Sequence, residues 1–199
     1  GEAGIGKSRL VRVLKEGTGG EAVTDLEARC SPYYQDSALH PIIGFFQRLL
    51  QFQRDDSAER RLATLDRGRD DFGSPLAETV PLFAALLSLP AGHRYQPPAM
   101  TPQRQKQKTF EAMVAWLLKA AERRPTRVVV EDIHWADPST LEFLGLLIGQ
   151  VPQARLFVAL VFRSEFLSPW RAQPHVTTVT LARLSSAATE RMIDSIAGG

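Results

Sequence analysis

Residues 1–8, Gly1-Glu2-Ala3-Gly4-Ile5-Gly6-Lys7-Ser8, fit the pattern G-x-x-x-x-G-K-[ST] and run directly into KSRLVRVLKE at 7–16. Glycines at these spacings let backbone N–H groups converge on phosphate oxygens without Cβ clashes, and the N-terminus of the helix behind them adds its dipole. In this pattern Lys7 reaches the β- and γ-phosphates of a nucleotide, and the Ser8 hydroxyl joins the shell of a Mg²⁺ ion. Gly17, Gly19 and Gly20 stop the helix. The strand that precedes such a loop would lie before Gly1.

Outward from the loop, helical and strand patterns alternate, which predicts an α/β fold with a mainly parallel sheet. Residues 22–29 alternate loosely and suit a strand. A helical block follows: ALHPIIGFFQRLLQF at 38–52, a charged helix near 57–67, and LAETVPLFAALLSL at 76–89. Pro90, Pro97 and Pro98 mark a loop. Thr101-Pro102 then reads as an N-cap with proline at the first helical position. The helix it opens carries Phe110, Met113, Val114, Leu117, Leu118 and Ala121 at helical spacing, so its second half faces a core. RVVVEDI at 127–133 and RLFVALVF at 155–162 are short apolar runs, as expected of strands buried on both faces. Between them Asp137-Pro138-Ser139 caps a helix running to about Ile148. VTTVTL at 176–181 alternates like a strand, and 185–197 reads as a closing helix.

The apolar run 128–130 ends in two acids, Glu131 and Asp132, in the manner of a Walker B strand. Two carboxylates at the end of a buried strand are costly unless they meet a cation or hydrogen-bond donors. In a nucleotide site, one can hold the Mg²⁺ shell while its neighbour orients or deprotonates the attacking water. Arg163-Ser164 closes the next apolar run. In a parallel sheet that end opens on the same crevice as the phosphate loop, so Arg163 is a candidate sensor of γ-phosphate charge.

The composition is that of one ordinary globular domain: 199 residues, 44% hydrophobic and 23% charged. A disordered tail, a collagenous repeat and a disulfide scaffold are excluded. A net charge of +2 is only mildly basic, well short of what a duplex binder concentrates on one face. Cys30, the sole cysteine, makes no internal disulfide, which leads us to expect a reducing, cytoplasmic compartment. No apolar run approaches the roughly 18 residues of a membrane span. With no initiator methionine and an opening in mid-motif, the chain reads as a fragment truncated at both ends.

GEAGIGKSRLV, ARCSPYYQDSALHP, VVVEDIHWADPSTLEFLGLL and the VFRSEF segment together resemble the AAA-type ATPase module of the STAND class of P-loop NTPases. EDIHWADPST is the most specific stretch. Such modules occur in bacterial signalling proteins fused to adenylate/guanylate cyclase or kinase domains, and in LuxR-like regulators. The resemblance implies a three-layer P-loop fold with sheet order 5-1-4-3-2, its first strand missing from this chain. It implies one P-loop ATPase domain over 1–199, with a helical insertion at about 38–125. It also implies ATP and Mg²⁺ binding, slow hydrolysis, and use as a nucleotide switch. Gly1, Gly4, Gly6, Lys7 and Ser8 would bind phosphates and metal, with Ile5 and Arg9 completing the cofactor-binding set. Glu131 and Asp132 would be the Walker B acids, with Arg163 at the sensor-1 position. The first acid is Glu131 rather than the Asp of the simplest Walker B pattern, so the division of labour between the two stays open. Glu131 with Ser8 for the metal and Asp132 for the water is the preferred order.

Other residues take structural readings. His134 and Trp135 pack and orient the loop after the acids. Asp137 is a helix cap rather than a third catalytic acid, and Cys30 is a small buried hydrophobe. Arg104, Lys106 and Lys108 form a solvated helix start, and the alternating charges at 55–70 a solvated face. The chain has no asparagine and no Lys-x-Asp, which excludes the guanine-selecting Asn/Thr-Lys-x-Asp motif, and the missing asparagine also removes the catalytic-loop pattern of protein kinases. A motor on DNA would need a stronger basic stripe, so direct nucleic-acid binding is not expected. The alternative to an ATPase is a nucleotide-dependent interaction module without useful turnover. In either case ATP or ADP, other domains of the parent chain and nucleotide-dependent self-association are the expected partners.

Overall fold

Three strands, β1 (Thr24–Arg29), β2 (Thr126–Glu131) and β3 (Leu156–Leu160), run parallel in the order β1-β2-β3. The computed structural model describes residues 4–17, 23–67, 76–90, 99–183, 190–191 and 194. They fall into two units, one spanning Gly20–Val161 and the other formed by Gly1–Gly19 with Phe162–Gly199.

The sheet belongs to the first unit. Leu26 stands opposite Val128, and Val128 opposite Val158. Central β2 is buried from Thr126 to Val130, which is why its sequence is a continuous apolar run of β-branched residues. On β1 burial alternates: Leu26 and Ala28 are buried, Asp25, Glu27 and Arg29 exposed. Arg127 is buried nonetheless, because Asp25, its neighbour across the ladder, takes its guanidinium through two hydrogen bonds of 2.6 and 2.8 Å. Those hydrogen bonds push the Arg127 pKa above its ordinary value, against the opposing effect of burial.

Parallel neighbours need long crossovers. The β1–β2 crossover carries α2 (His40–Leu49), α3 (Ala58–Arg67), α4 (Leu76–Leu86) and α5 (Pro102–Arg123). Thr101 caps α5 by accepting from the Arg104 amide at 3.3 Å, with Pro102 at its first position. Phe46 of α2 sits at the centre of this block, edge-on to Phe83 of α4 at 5.3 Å and tilted against Trp116 of α5 at 5.4 Å. Arg48 of α2 donates to the Glu27 carbonyl and Arg155 to the Glu122 carbonyl, tying the helices to the sheet. The β2–β3 crossover is α6 (Pro138–Gln150), whose Phe143, Leu144 and Leu147 are fully buried. In the second unit, α1 (Lys7–Glu16) follows the glycine loop and buries Val11.

Two expectations differ from the structure. The run 127–133 is a strand only to Glu131. Asp132 is left-handed, with φ 58°, and 133–135 form a 3₁₀ turn, because the Asp132 carbonyl accepts from the Trp135 amide instead of continuing a ladder. The stretch 176–181 makes no strand. It has no ladder partner among the described residues, the Val176 amide closes a turn on the Gln173 carbonyl, and Val179 is exposed. Alternation marks which side chains would share a face, but a strand also needs a neighbour to receive its hydrogen bonds. Most of the expected closing helix, and the loop at 91–98, lie outside the described residues. Among the described residues no helix is long and apolar enough to cross a membrane.

Candidate functional site

The glycine loop lies in the unit formed by Gly1–Gly19 and Phe162–Gly199. Gly4 and Gly6 have φ of +75° and +98°, conformations that an L side chain rarely adopts. Gly6 is the N-cap of α1, and its carbonyl accepts from the Leu10 amide at 3.0 Å. A side chain at the N-cap commonly satisfies one of the first-turn amides, and Gly6 has none. No acid occupies that first turn, which holds Lys7, Ser8 and exposed Arg9. A Cβ built on Gly4 or Gly6 meets nothing within 4 Å, so the surface beside the loop is open. Amide donors, a cation and a hydroxyl on one open turn are a donor set that fits a phosphate group and its metal. Ile5 is half-buried between the glycines, and Gly1 lies outside the described residues. In the same unit Arg163 is exposed and opens a turn in which its carbonyl accepts from the Phe166 amide at 3.1 Å.

The two acids lie in the other unit, at the carboxyl end of β2. The Glu131 carbonyl accepts from the Cys30 amide at 2.9 Å, which continues the ladder toward β1. Two residues later the Ile133 amide donates to the Val161 carbonyl at 3.0 Å, on the β3 side. Asp132 is the pivot between these bonds, and its left-handed backbone is the result. Both acids are half-buried. The Asp132 carboxylate accepts a hydrogen bond from Arg29 Nε at 3.0 Å. Among the described residues no cluster of three or more His, Cys, Asp or Glu could hold a metal ion. Mg²⁺ is ordinarily held by one or two carboxylates together with substrate phosphates, and a pair of acids at a strand end fits that use.

Asp137, 3% exposed, is fully engaged. Its Oδ1 accepts from the Thr140 amide at 3.0 Å and from the Leu39 amide at 3.2 Å, and its Oδ2 from the Thr140 hydroxyl at 2.5 Å. One carboxylate thus caps α6 and holds the left-handed residue that starts α2. Its observed role is that of a structural cap. Cys30 is buried, and burial pushes its thiol up to about 12, with the charges of Asp137 and Asp132 adding to the rise. His134 and Trp135 lie with ring centroids 5.0 Å apart in the 3₁₀ turn. Lys106 pairs with Glu142 and lies over the Phe110 ring, and Lys108 pairs with Glu111, so these two lysines stand on a solvated helix face. Arg60 pairs with Asp56 at 2.9 Å. Arg29 was not anticipated from sequence. It is the ladder partner of Glu131, a relation that exists only once the register of β1 against β2 is known.

The chain belongs to the AAA ATPase domain family, whose profile matches residues 1–161. Membership points to nucleotide binding and hydrolysis. A protein of Rhizobium meliloti (strain 1021), described as uncharacterized, is 28% identical over 196 residues, covering 97% of this chain and 18% of the relative. The chain therefore spans less than a fifth of that relative's length. No solved structure matches.

Proposed function

We propose that the chain binds ATP with Mg²⁺ and hydrolyses it slowly, as the nucleotide switch of a larger signalling or regulatory protein of the STAND class. The observation that carries this reading is the open glycine turn capping α1, with Lys7 and Ser8 at its head, in a chain of the AAA ATPase domain family. Gly1, Gly4, Ile5, Gly6, Lys7, Ser8 and Arg9 form the phosphate-binding segment, with Lys7 on the β- and γ-phosphates. Ser8 and Glu131 serve the metal shell, Asp132 orients or accepts a proton from the attacking water, and Arg163 answers γ-phosphate charge. The metal supplies charge neutralisation on the phosphates when bound. Residues 1–199 act as one ATPase domain with 38–125 as a helical insertion, in a sheet of order 5-1-4-3-2. Partner domains of the parent chain, such as a cyclase, kinase or DNA-binding domain, read its nucleotide state in the cytoplasm.

Single-turnover hydrolysis of labelled ATP by the intact protein tests the activity, and calorimetry tests the site. A charge-assisted contact contributes about 1.5–3 kcal/mol, so Lys7→Ala should weaken ATP–Mg²⁺ binding about tenfold to a hundredfold. Unchanged affinity would remove the site assignment. Tight binding without turnover in the wild type would leave an interaction module in place of an ATPase.

A further inference from the structure

Asp132 is held on three sides. Its neighbours bond in opposite directions, Glu131 toward β1 and Ile133 toward β3, and its own carbonyl is taken by Trp135. These bonds hold the backbone in the left-handed region, and none of them involves the carboxylate. That carboxylate accepts from Arg29, with Nε 3.0 Å from Oδ2. Arg29 ends β1 directly across the ladder from Glu131, and its guanidinium meets the other acid, Asp132, at the carboxyl end of the sheet. Its side chain is 73% exposed and that of Asp132 27% exposed. A pair this exposed adds little to folding stability. An arginine that stabilises little, placed against a backbone-strained acid, has a different physical consequence: it selects one carboxylate rotamer.

We propose that Arg29 is a positioning residue for the hydrolytic reaction, holding the Asp132 carboxylate in the orientation that meets the attacking water. The proposal rests on the assignment of Asp132 to that water. An aspartate has three staggered χ1 wells, so releasing the carboxylate leaves roughly a third of the population correctly placed, and any residual misplacement lowers it further. Arg29→Ala in the intact protein should therefore lower kcat about threefold to tenfold, while KM and the ATP affinity read by calorimetry stay within about twofold. Arg29→Lys, which keeps the charge but loses the planar fork, should recover part of the loss. In an Asp132→Asn background, Arg29→Ala should change kcat by less than about twofold, because the carboxylate it positions is gone. In nucleotide-free protein, Arg29→Ala should also shift the side-chain carboxyl carbon resonance of Asp132.

Three results would overturn the positioning role: an equal loss of kcat in the Asp132→Asn background, an unchanged kcat in Arg29→Ala, or a raised kcat, which would mean that the pair holds Asp132 back. An unmoved Asp132 resonance would do the same by showing that the pair does not form. Failure of the underlying assignment reads out elsewhere: Asp132→Asn alone would hydrolyse ATP at the wild-type rate, and both ideas would fall. Arg29 is exposed, so its variants should melt within a few degrees of the wild type, and a melting scan on each separates misfolding from misplacement.

Discussion

Single side chains in this molecule work by what surrounds them more than by their type. Asp137 and Asp132 are both acids in the same short connection, yet Asp137 has three donors and almost no exposure, whereas Asp132 has one exposed guanidinium. Removing the Asp137 carboxylate would uncap α6 and strand the Leu39 amide and the Thr140 hydroxyl. Asp137→Ala should therefore cost about 2–4 kcal/mol, measured as a lowered denaturant midpoint at constant slope. Cys30 shows the same dependence. Its thiol is raised by burial and by two nearby carboxylates to about 12, so it stays protonated at neutral pH and should resist alkylation until the chain unfolds. The sign follows from the direction of the shift. A pKa higher in the folded state than in the unfolded one contributes stability that is present below the ordinary value of 9.0, and that contribution is lost as pH rises toward 12. Rapid alkylation of the folded chain at neutral pH would contradict this.

At the scale of elements, the proposed function assigns the chemistry to the strand end of β2 and the loop before α1, where backbone geometry sets the side chains. A strand buried on both faces ends at Glu131, and the reversal of hydrogen bonding sets Asp132 just beyond it in a left-handed conformation. The two acids should therefore separate by role. The amide variant of the water-handling acid should bind ATP normally and hydrolyse it roughly 10²–10⁴-fold more slowly, the usual reach of general-base catalysis. The amide variant of the metal-shell acid should instead raise the Mg²⁺ concentration needed for half-maximal binding. Wild-type hydrolysis by both Glu131→Gln and Asp132→Asn would end the Walker B reading. The pairing of β1 with β2 offers a second test at this scale. Arg127 is buried whereas Asp25 is partly exposed, so Asp25→Ala would remove the two hydrogen bonds to a buried guanidinium and cost about 1–3 kcal/mol, read by chemical denaturation.

Across the unit Gly20–Val161, one apolar core joins the sheet to the helical block, with Phe46, Phe83, Leu117 and Met113 fully buried. Phe83→Ala should cost about 3–5 kcal/mol, and because this core contains residues of α2, α4 and α5 together, the loss should appear as one cooperative shift of the melting curve of that unit. A change confined to the helical block would show that the block unfolds separately from the sheet.

Much of this was legible from local chemistry. Lys7–Glu16 as a helix behind a glycine loop, Thr101 and Asp137 as caps, and the crossover helices between β1 and β2 follow from spacing and from which residues can donate or accept within one turn. These are properties of a few consecutive residues, so the sequence by itself determined them. The parallel alternation of strands and helices was legible for the same reason, since a strand buried on both faces writes itself as a continuous apolar run. Where contacts join residues far apart in the chain, local reading stopped. That Asp132 meets Arg29, 103 positions earlier, and that Arg127 meets Asp25, 102 positions earlier, depends on the register of β1 against β2. The left-handed turn at Asp132, which ended β2 two residues before its apolar pattern did, depends on hydrogen bonds offered by two different strands. The stretch 176–181 alternates like a strand yet forms none, because alternation belongs to the segment whereas a ladder belongs to a pair of segments. Tertiary structure alone decided which segments pair, and through the register it decided which charged groups stand together at the ends of the strands.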